Sequence, residues 1–252
     1  MLAARNVRGR FRTLRIWANV ALIGLMVALP WIRIAGEPLI LLDIPARRFH
    51  VFGLVIVPQE LYFLWIVIAA LALALFFFTA LAGRVWCGWA CPQTVFTDLF
   101  AGVARRIQGW KGLRPPVRVA AWRRALTHGV WIAISALVGF HLVAYFVSPY
   151  ELIARAREGT MGGASLSFLV AAATASYLDF AFVKQTFCRF LCPYARFQGV
   201  LFDRDTLVIG YDTARGEPRG KKGSTAGDCV DCGLCVQVCP TEIDIREGLQ
   251  LE

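Results

Sequence analysis

Charge is scarce in this chain. Only 17% of its 252 residues are Asp, Glu, Lys or Arg, against about 25% in an ordinary soluble domain. With 58% of residues apolar, that deficit excludes a disordered or collagen-like chain and argues against a plain soluble enzyme. Acid is scarcer than base, 17 residues against 27, for a formal charge of +10. Such basicity often marks a nucleic-acid binder, but no recognition motif of that class is present, and no nucleic-acid partner is expected. Histidine is limited to three residues, His50, His128 and His141. A haem-binding helix pair needs histidines that face each other. His128 and His141 share one apolar run, about 20 Å apart by helical rise and on different faces, so haem ligation is not supported. Isolated cysteine is absent too: all eight Cys fall into short spaced groups.

What is present in quantity is long runs without charge. Residues 16–32, 61–82, 125–150 and 159–178 are uncharged, and a helix needs about 20 apolar residues to cross a bilayer. The expected spans are 16–35, 61–82, 125–148 and 160–182. The fourth is rich in Gly and Ser, which suits close helix packing. Residues 1–15 carry five Arg and no acid, 33–60 three bases and three acids, 84–124 eight bases and one acid, and 151–158 two of each. Basic excess therefore alternates with neutrality. The positive-inside rule places the N-terminus, the 84–124 loop and the C-terminal segment in the cytoplasm. A cleaved signal peptide fits less well, because no small-x-small site follows the first run. Residues 39–44 and 51–57 are too short to span and are expected at the outer interface or packed as a plug.

An internal repeat closes each hairpin of spans. Trp86-Cys87-Gly-Trp-Ala-Cys91-Pro92-Gln-Thr-Val-Phe96 matches Phe187-Cys188-Arg-Phe-Leu-Cys192-Pro193-Tyr-Ala-Arg-Phe197 at an offset of 101 residues. Both copies lie on the same side of the membrane, so the repeat axis runs along the membrane normal and brings the pairs together. If helix continues through each pair, its two thiols share a face. Each Pro then starts a new helix, with Gln93–Gln108 amphipathic along the surface. Four thiolates suit an iron–sulfur cluster, Cu(I) or Zn. Inert buried thiols, a disulfide or a structural zinc are the competing readings.

Near the end, Cys229-Val-Asp-Cys232-Gly-Leu-Cys235-Val-Gln-Val-Cys239-Pro240 is the C-x2-C-x2-C-x3-C-P run of bacterial ferredoxins. Gly233 lets the backbone turn close to the cluster sulfides. In two-cluster ferredoxins the fourth Cys ligates the other cluster. No Cys follows Cys239, so either one cluster uses all four or the chain stops before a second motif. The second alternative is favoured, with 228–252 read as part of a ferredoxin domain. Residues 203–227 read as a linker after a membrane domain of 1–202, with strand character at 206–211 and a flexible Gly-rich stretch. Asp179 is expected to pair with Lys184 at the interface. The basic segment Arg105, Arg106, Lys111, Arg114, Arg118, Arg123, Arg124 is expected on anionic lipid.

These motifs together resemble the CcoG/FixG/RdxA family of cytochrome c oxidase accessory proteins. The likeness lies in residues 84–95, 192–198, 202–207, 211–220, 44–53 and the ferredoxin run, and it extends over essentially the whole chain. The membrane half is also similar to quinol-dehydrogenase polyferredoxins. The resemblance implies an inner-membrane iron–sulfur protein that serves assembly of cbb3-type oxidase, with copper-delivery and oxidase-assembly factors as partners. It implies reduction of Cu(II) to Cu(I). It also implies a second ferredoxin motif, a further span and an outer domain, none of which is in these residues.

The fold expectation is therefore an α-helical polytopic membrane protein of four spans in a duplicated hairpin, followed by part of a ferredoxin domain. Cys229, Cys232, Cys235 and Cys239 are expected to bind a 4Fe–4S cluster. Cys87, Cys91, Cys188 and Cys192 are the redox or metal candidates, holding copper or a further cluster. The leading expectation is an oxidoreductase that passes electrons from a donor to Cu(II). A non-enzymatic scaffold with a structural cluster and a quinol-oxidising relay are the alternatives.

Overall fold

The computed structural model of the chain describes residues 9–34, 36–110, 119–203, 205–220, 227–239 and 243–248, and among these described residues four helices are long and apolar enough to cross a membrane. Lys111, Arg114 and Arg118 of the basic segment, residues 221–226 of the linker and Pro240 lie outside the described residues.

The first helix, α1 (Arg10–Ala28), starts well before the expected 16. Arginine is a good helix former, so Arg10, Arg12 and Arg15 extend the apolar run rather than interrupt it. It gives way at Pro30 to a 3-10 turn, Leu29–Trp31, because Pro has no N–H to continue the ladder. The expected extension to 35 is absent: Arg33–Ile34 (β1) pairs instead with Glu37–Pro38 (β2).

The two short apolar stretches that follow form an antiparallel sheet of Ile40–Asp43 (β3), Arg48–Val51 (β4) and Leu54–Ile56 (β5). Phe52 and Gly53 make its second turn, with φ of 51° and 83°. Two positive φ values in a two-residue loop match the twist of a hairpin. The Leu42 N–H donates to Tyr145 O at 2.8 Å, which ties the sheet to the end of the third span.

The second span, α2 (Leu61–Ala82), occupies the expected residues. Trp65 is 71% and Leu73 68% exposed in the isolated chain. Burial of such side chains is favoured by about 1.5–3 kcal/mol each, so this face calls for lipid. A short helix α3 (Val85–Trp89) and the longer α4 (Pro92–Gln108) follow. The third span, α5 (Ala121–Ala144), is shifted toward the N-terminus of the expected 125–148, because Trp122, Arg123 and Arg124 join it and a new helix, α6 (Pro149–Arg157), begins just past 148. The fourth, α7 (Gly163–Leu178), ends in a π-helical turn, Asp179–Val183. A second π-helical turn, Phe187–Leu191, leads into α8 (Pro193–Leu201).

The core sits where α4 crosses α5. Phe96, Phe100 and Ala104 recur every four residues on α4 and pack on Trp131 and Val138 of α5 and on Phe180 and Ala181. The Trp131 indole donates to Phe100 O at 3.0 Å. The helix expected to rest on the membrane surface therefore has one face inside the protein. Alongside, α5 packs on α7 through Gly139, where a Cβ would stand 2.9 Å from Leu169 O and 3.1 Å from the Ala173 N. Only glycine allows that approach.

Residues 206–211 do not form the expected strand. They attach instead to the end of α2: Thr206 Oγ1 donates to Ala80 O at 2.6 Å, and Leu207 N to Leu81 O at 3.0 Å. The last carbonyls of a helix have no partner within it, and this segment supplies them.

Candidate metal centre

The two cysteine repeats are built alike. Gly83 and Lys184, equivalent at the offset of 101, have φ/ψ of 59°/−124° and 52°/−127°. Cys91 and Cys192 are both extended, at −62°/125° and −76°/112°. Each second cysteine donates its N–H to the carbonyl of the aromatic residue before the first: Cys91 to Trp86 O at 3.0 Å, Cys192 to Phe187 O at 2.9 Å. No single α-helix runs through either pair. The first thiol lies in a short helical turn, and the second caps the start of the next helix. Pro92 and Pro193 force that break, since neither can donate to the preceding turn.

The repeats grip one another reciprocally. In the first, Gln93 donates its amide to Asp179 Oδ1 at 3.1 Å and to Lys184 O at 3.0 Å. In the second, the equivalent Tyr194 hydroxyl bonds the Thr79 hydroxyl. The Phe96 ring lies 5.2 Å from that of Phe180, and the equivalent Phe197 6.4 Å from Phe76. The expected ion pair of Asp179 with Lys184 is replaced: the carboxylate takes the Gln93 amide, and the Lys184 ammonium sits 5.7 Å over the Trp131 ring. The fixed backbone turn at Lys184 directs the two side chains to different neighbours.

This grip gathers four thiols. Burial pushes the Cys188 thiol up to about 12, helped by the neighbouring Cys91, Cys192 and Cys87 and by Asp179. Burial also raises Cys87, while a hydrogen bond from Gln198 opposes the shift. That bond, Gln198 Nε2 to Cys87 Sγ, is 3.1 Å long and crosses from the second repeat to the first. None of the eight cysteines is in a disulfide. Among the described residues no three His, Cys, Asp or Glu side chains converge tightly enough to hold a single metal ion. A cubane cluster binds each thiolate at a separate iron, so it takes ligands spread around it rather than aimed at one point. The half-buried thiols, none in a disulfide, are a soft donor set of the chemical kind that iron–sulfur clusters use.

The ferredoxin run forms a compact loop. Gly233 is left-handed, with φ of 62°, and starts a short helix, α9 (Leu234–Val238). The Cys239 N–H closes it on Cys235 O at 3.2 Å. Cys232 is exposed, and Cys229, Cys235 and Cys239 are half-buried. Two neighbours were not foreseen. Partial desolvation and a hydrogen bond to Cys229 push Tyr211 up to about 12. Arg246 pairs with Asp231 between the first two cysteines and with Asp244. Gln198 was equally unforeseen. Its signal was its place one residue past the repeat, at the end of the 192–198 stretch that carries the family resemblance.

Three stretches of the chain match iron–sulfur families. Residues 63–111, which hold the first pair, match a family described as a 4Fe–4S binding domain. Residues 183–225, with the second pair, and 218–252, with the ferredoxin run, match a 4Fe–4S dicluster domain. The chain is 39% identical to Protein RdxA of Cereibacter sphaeroides over 98% of its own length and 55% of the relative's. RdxB of the same organism is 36% identical over 98% and 55%, and the nitrogen fixation protein FixG of Rhizobium meliloti 33% over 98% and 51%. The chain thus spans about half the length of these curated relatives. No solved structure matches it. A duplicated membrane hairpin, paired cysteines and a ferredoxin run, in a sequence alignable over 98% of its length with these three, place the chain in the FixG/RdxA family, with 4Fe–4S domain signatures.

Proposed function

We propose that this protein reduces Cu(II) to Cu(I) at the inner membrane in support of cbb3-type oxidase assembly. In this reading the N-terminal tail, the two cysteine pairs and the ferredoxin run all face the cytoplasm, as the excess of arginine in residues 1–15 and 84–124 favours. Residues 1–202 form the membrane domain, 203–227 the linker, and 228–252 the start of a ferredoxin domain. Cys229, Cys232, Cys235 and Cys239 bind a 4Fe–4S cluster. Cys87, Cys91, Cys188 and Cys192 form the second redox centre.

The observation that carries the reading is the reciprocal grip of the repeats, Gln93 on Lys184 O at 3.0 Å and Gln198 on Cys87 at 3.1 Å. It sets two thiol pairs from distant parts of the chain against one another at the end of the spans. An iron–sulfur cluster, when bound, carries electrons one at a time. The copper step is balanced by one electron for each Cu(II), supplied by a low-potential one-electron donor. Copper is substrate here. Soft sulfur ligands favour Cu(I) over Cu(II), so an ion arriving at the sulfur-lined face of this centre is easier to reduce.

Anaerobic protein, reduced and freed of reductant, is mixed with Cu(II) and a Cu(I)-selective chelator. The expected result is Cu(I) in proportion to cluster content. No Cu(I) above a cluster-free control overturns the proposal. A double variant, Cys87→Ala with Cys188→Ala, separates enzyme from scaffold: oxidase assembly fails for a reductase and continues for a scaffold that accumulates normally.

A further inference from the structure

The two repeats present matched thiols but unmatched hydrogen bonds. Gln198 lies on α8 and is 1% exposed. Its amide nitrogen donates to Cys87 Sγ, 111 positions away, at 3.1 Å. The equivalent position in the first repeat is Thr97. It is 7% exposed, and its hydroxyl has no hydrogen-bond partner. The threonine side chain is too short to repeat what glutamine does. A centre built on these cysteines is therefore two-fold in its ligands and one-sided in its donors.

We infer that Gln198 is a positioning residue that sets the reduction potential of the centre held by the paired cysteines, by donating its side-chain amide to the Cys87 sulfur. The inference rests on the reading that those cysteines bind a redox centre. Adding an electron makes the ligand sulfurs more negative, and a donor aimed at one of them stabilises the reduced form most. A hydrogen bond to an anionic acceptor is about twice as strong as a neutral one. At 1% exposure water cannot replace the amide, so its loss leaves the sulfur without that donor. Gln198 sits six residues past Cys192, so the same helix that caps one ligand pair also tunes the other.

The test is redox titration of the full chain in lipid nanodiscs, followed by EPR, with iron and sulfide assayed in every sample. Gln198→Met keeps the bulk and removes the donor. Gln198→Glu keeps the shape and a polar end. Both are expected to hold wild-type iron and to show a lower midpoint potential. A tenfold fall in the one-electron equilibrium constant reads as about 59 mV. Thr97→Gln, which adds a donor on the other side, is expected to raise the potential. Unchanged potentials in both Gln198 variants at full iron overturn the inference. Loss of iron in both also overturns it, because Gln198 then only holds α8 in place. Cys87→Ser separates this from the parent reading. If it leaves iron content and spectrum at wild type, the paired cysteines bind no centre, and the reading itself fails.

Discussion

Gly83 and Lys184 occupy the same backbone conformation, with φ near +55° and ψ near −125°, at the same point of two repeats. Glycine holds it freely. Lysine does so at a strain of about 1–3 kcal/mol. Lys184→Gly relieves that strain and restores about 0.5–1 kcal/mol of unfolded-state entropy cost. It is expected to stabilise the protein by roughly 1 kcal/mol in a thermal melt in detergent. Gly83→Ala is expected to destabilise it by about 2 kcal/mol or more, since its Cβ would lie 2.8 Å from Leu207 O in addition to the positive φ. Destabilisation by Lys184→Gly would contradict the strain assigned to that turn.

Asp98 anchors α4 to α1. Its carboxylate lies 2.5 Å from Arg12 Nη1 and 3.6 Å from Arg15 Nε, with all three side chains about four-fifths covered. Asp98→Ala leaves two guanidiniums partly buried without their counter-ion. The expected loss is about 2–3 kcal/mol, less than for a fully buried pair. In a double-mutant cycle with Arg12→Ala, the coupling should be about 1–2 kcal/mol. Additive losses would mean that the pair contributes nothing beyond side-chain packing.

The ferredoxin loop has an acid-sensitive brace. Hydrogen bonds and charge from Arg246 hold the Asp244 carboxyl down to about 2, from 3.8. A depressed carboxyl stabilises the fold above its unfolded value, and that contribution is lost as pH falls through about 2. The 243–248 turn should therefore loosen below pH 4 and not at neutral pH. Carbon-13 NMR of the Asp244 carboxyl checks this: its midpoint should move up toward 3.8 in Arg246→Gln. A midpoint unchanged by that substitution would remove Arg246 as the cause.

Much of this architecture is legible in the sequence, because each readable feature has a local cause. Residues 61–82 form a helix where expected, since an uninterrupted apolar run leaves lipid as its natural solvent. The duplication is visible in matched Cys and Pro residues. The strands over 40–56 are not, because the runs are short and the hairpin turns on Phe52, a residue that gives little turn signal. The segment 206–211 has β-branched residues but completes a helix end instead, a tertiary demand that propensity cannot reveal. Gln198 escapes notice for the same reason. Its role depends on a thiol more than a hundred residues away, and its place in the 192–198 motif does not say which atom it meets.

The central claim is that the two cysteine pairs form one redox centre separate from the ferredoxin run. Iron and acid-labile sulfide, measured with EPR on anaerobically purified wild type, Cys87→Ser, Cys188→Ser and Cys232→Ser, test it most directly. The account predicts that Cys87→Ser and Cys188→Ser each abolish the same signal and the same share of iron, while Cys232→Ser abolishes a different one. It is contradicted if Cys87→Ser and Cys188→Ser both retain the full iron content and spectrum of the wild type.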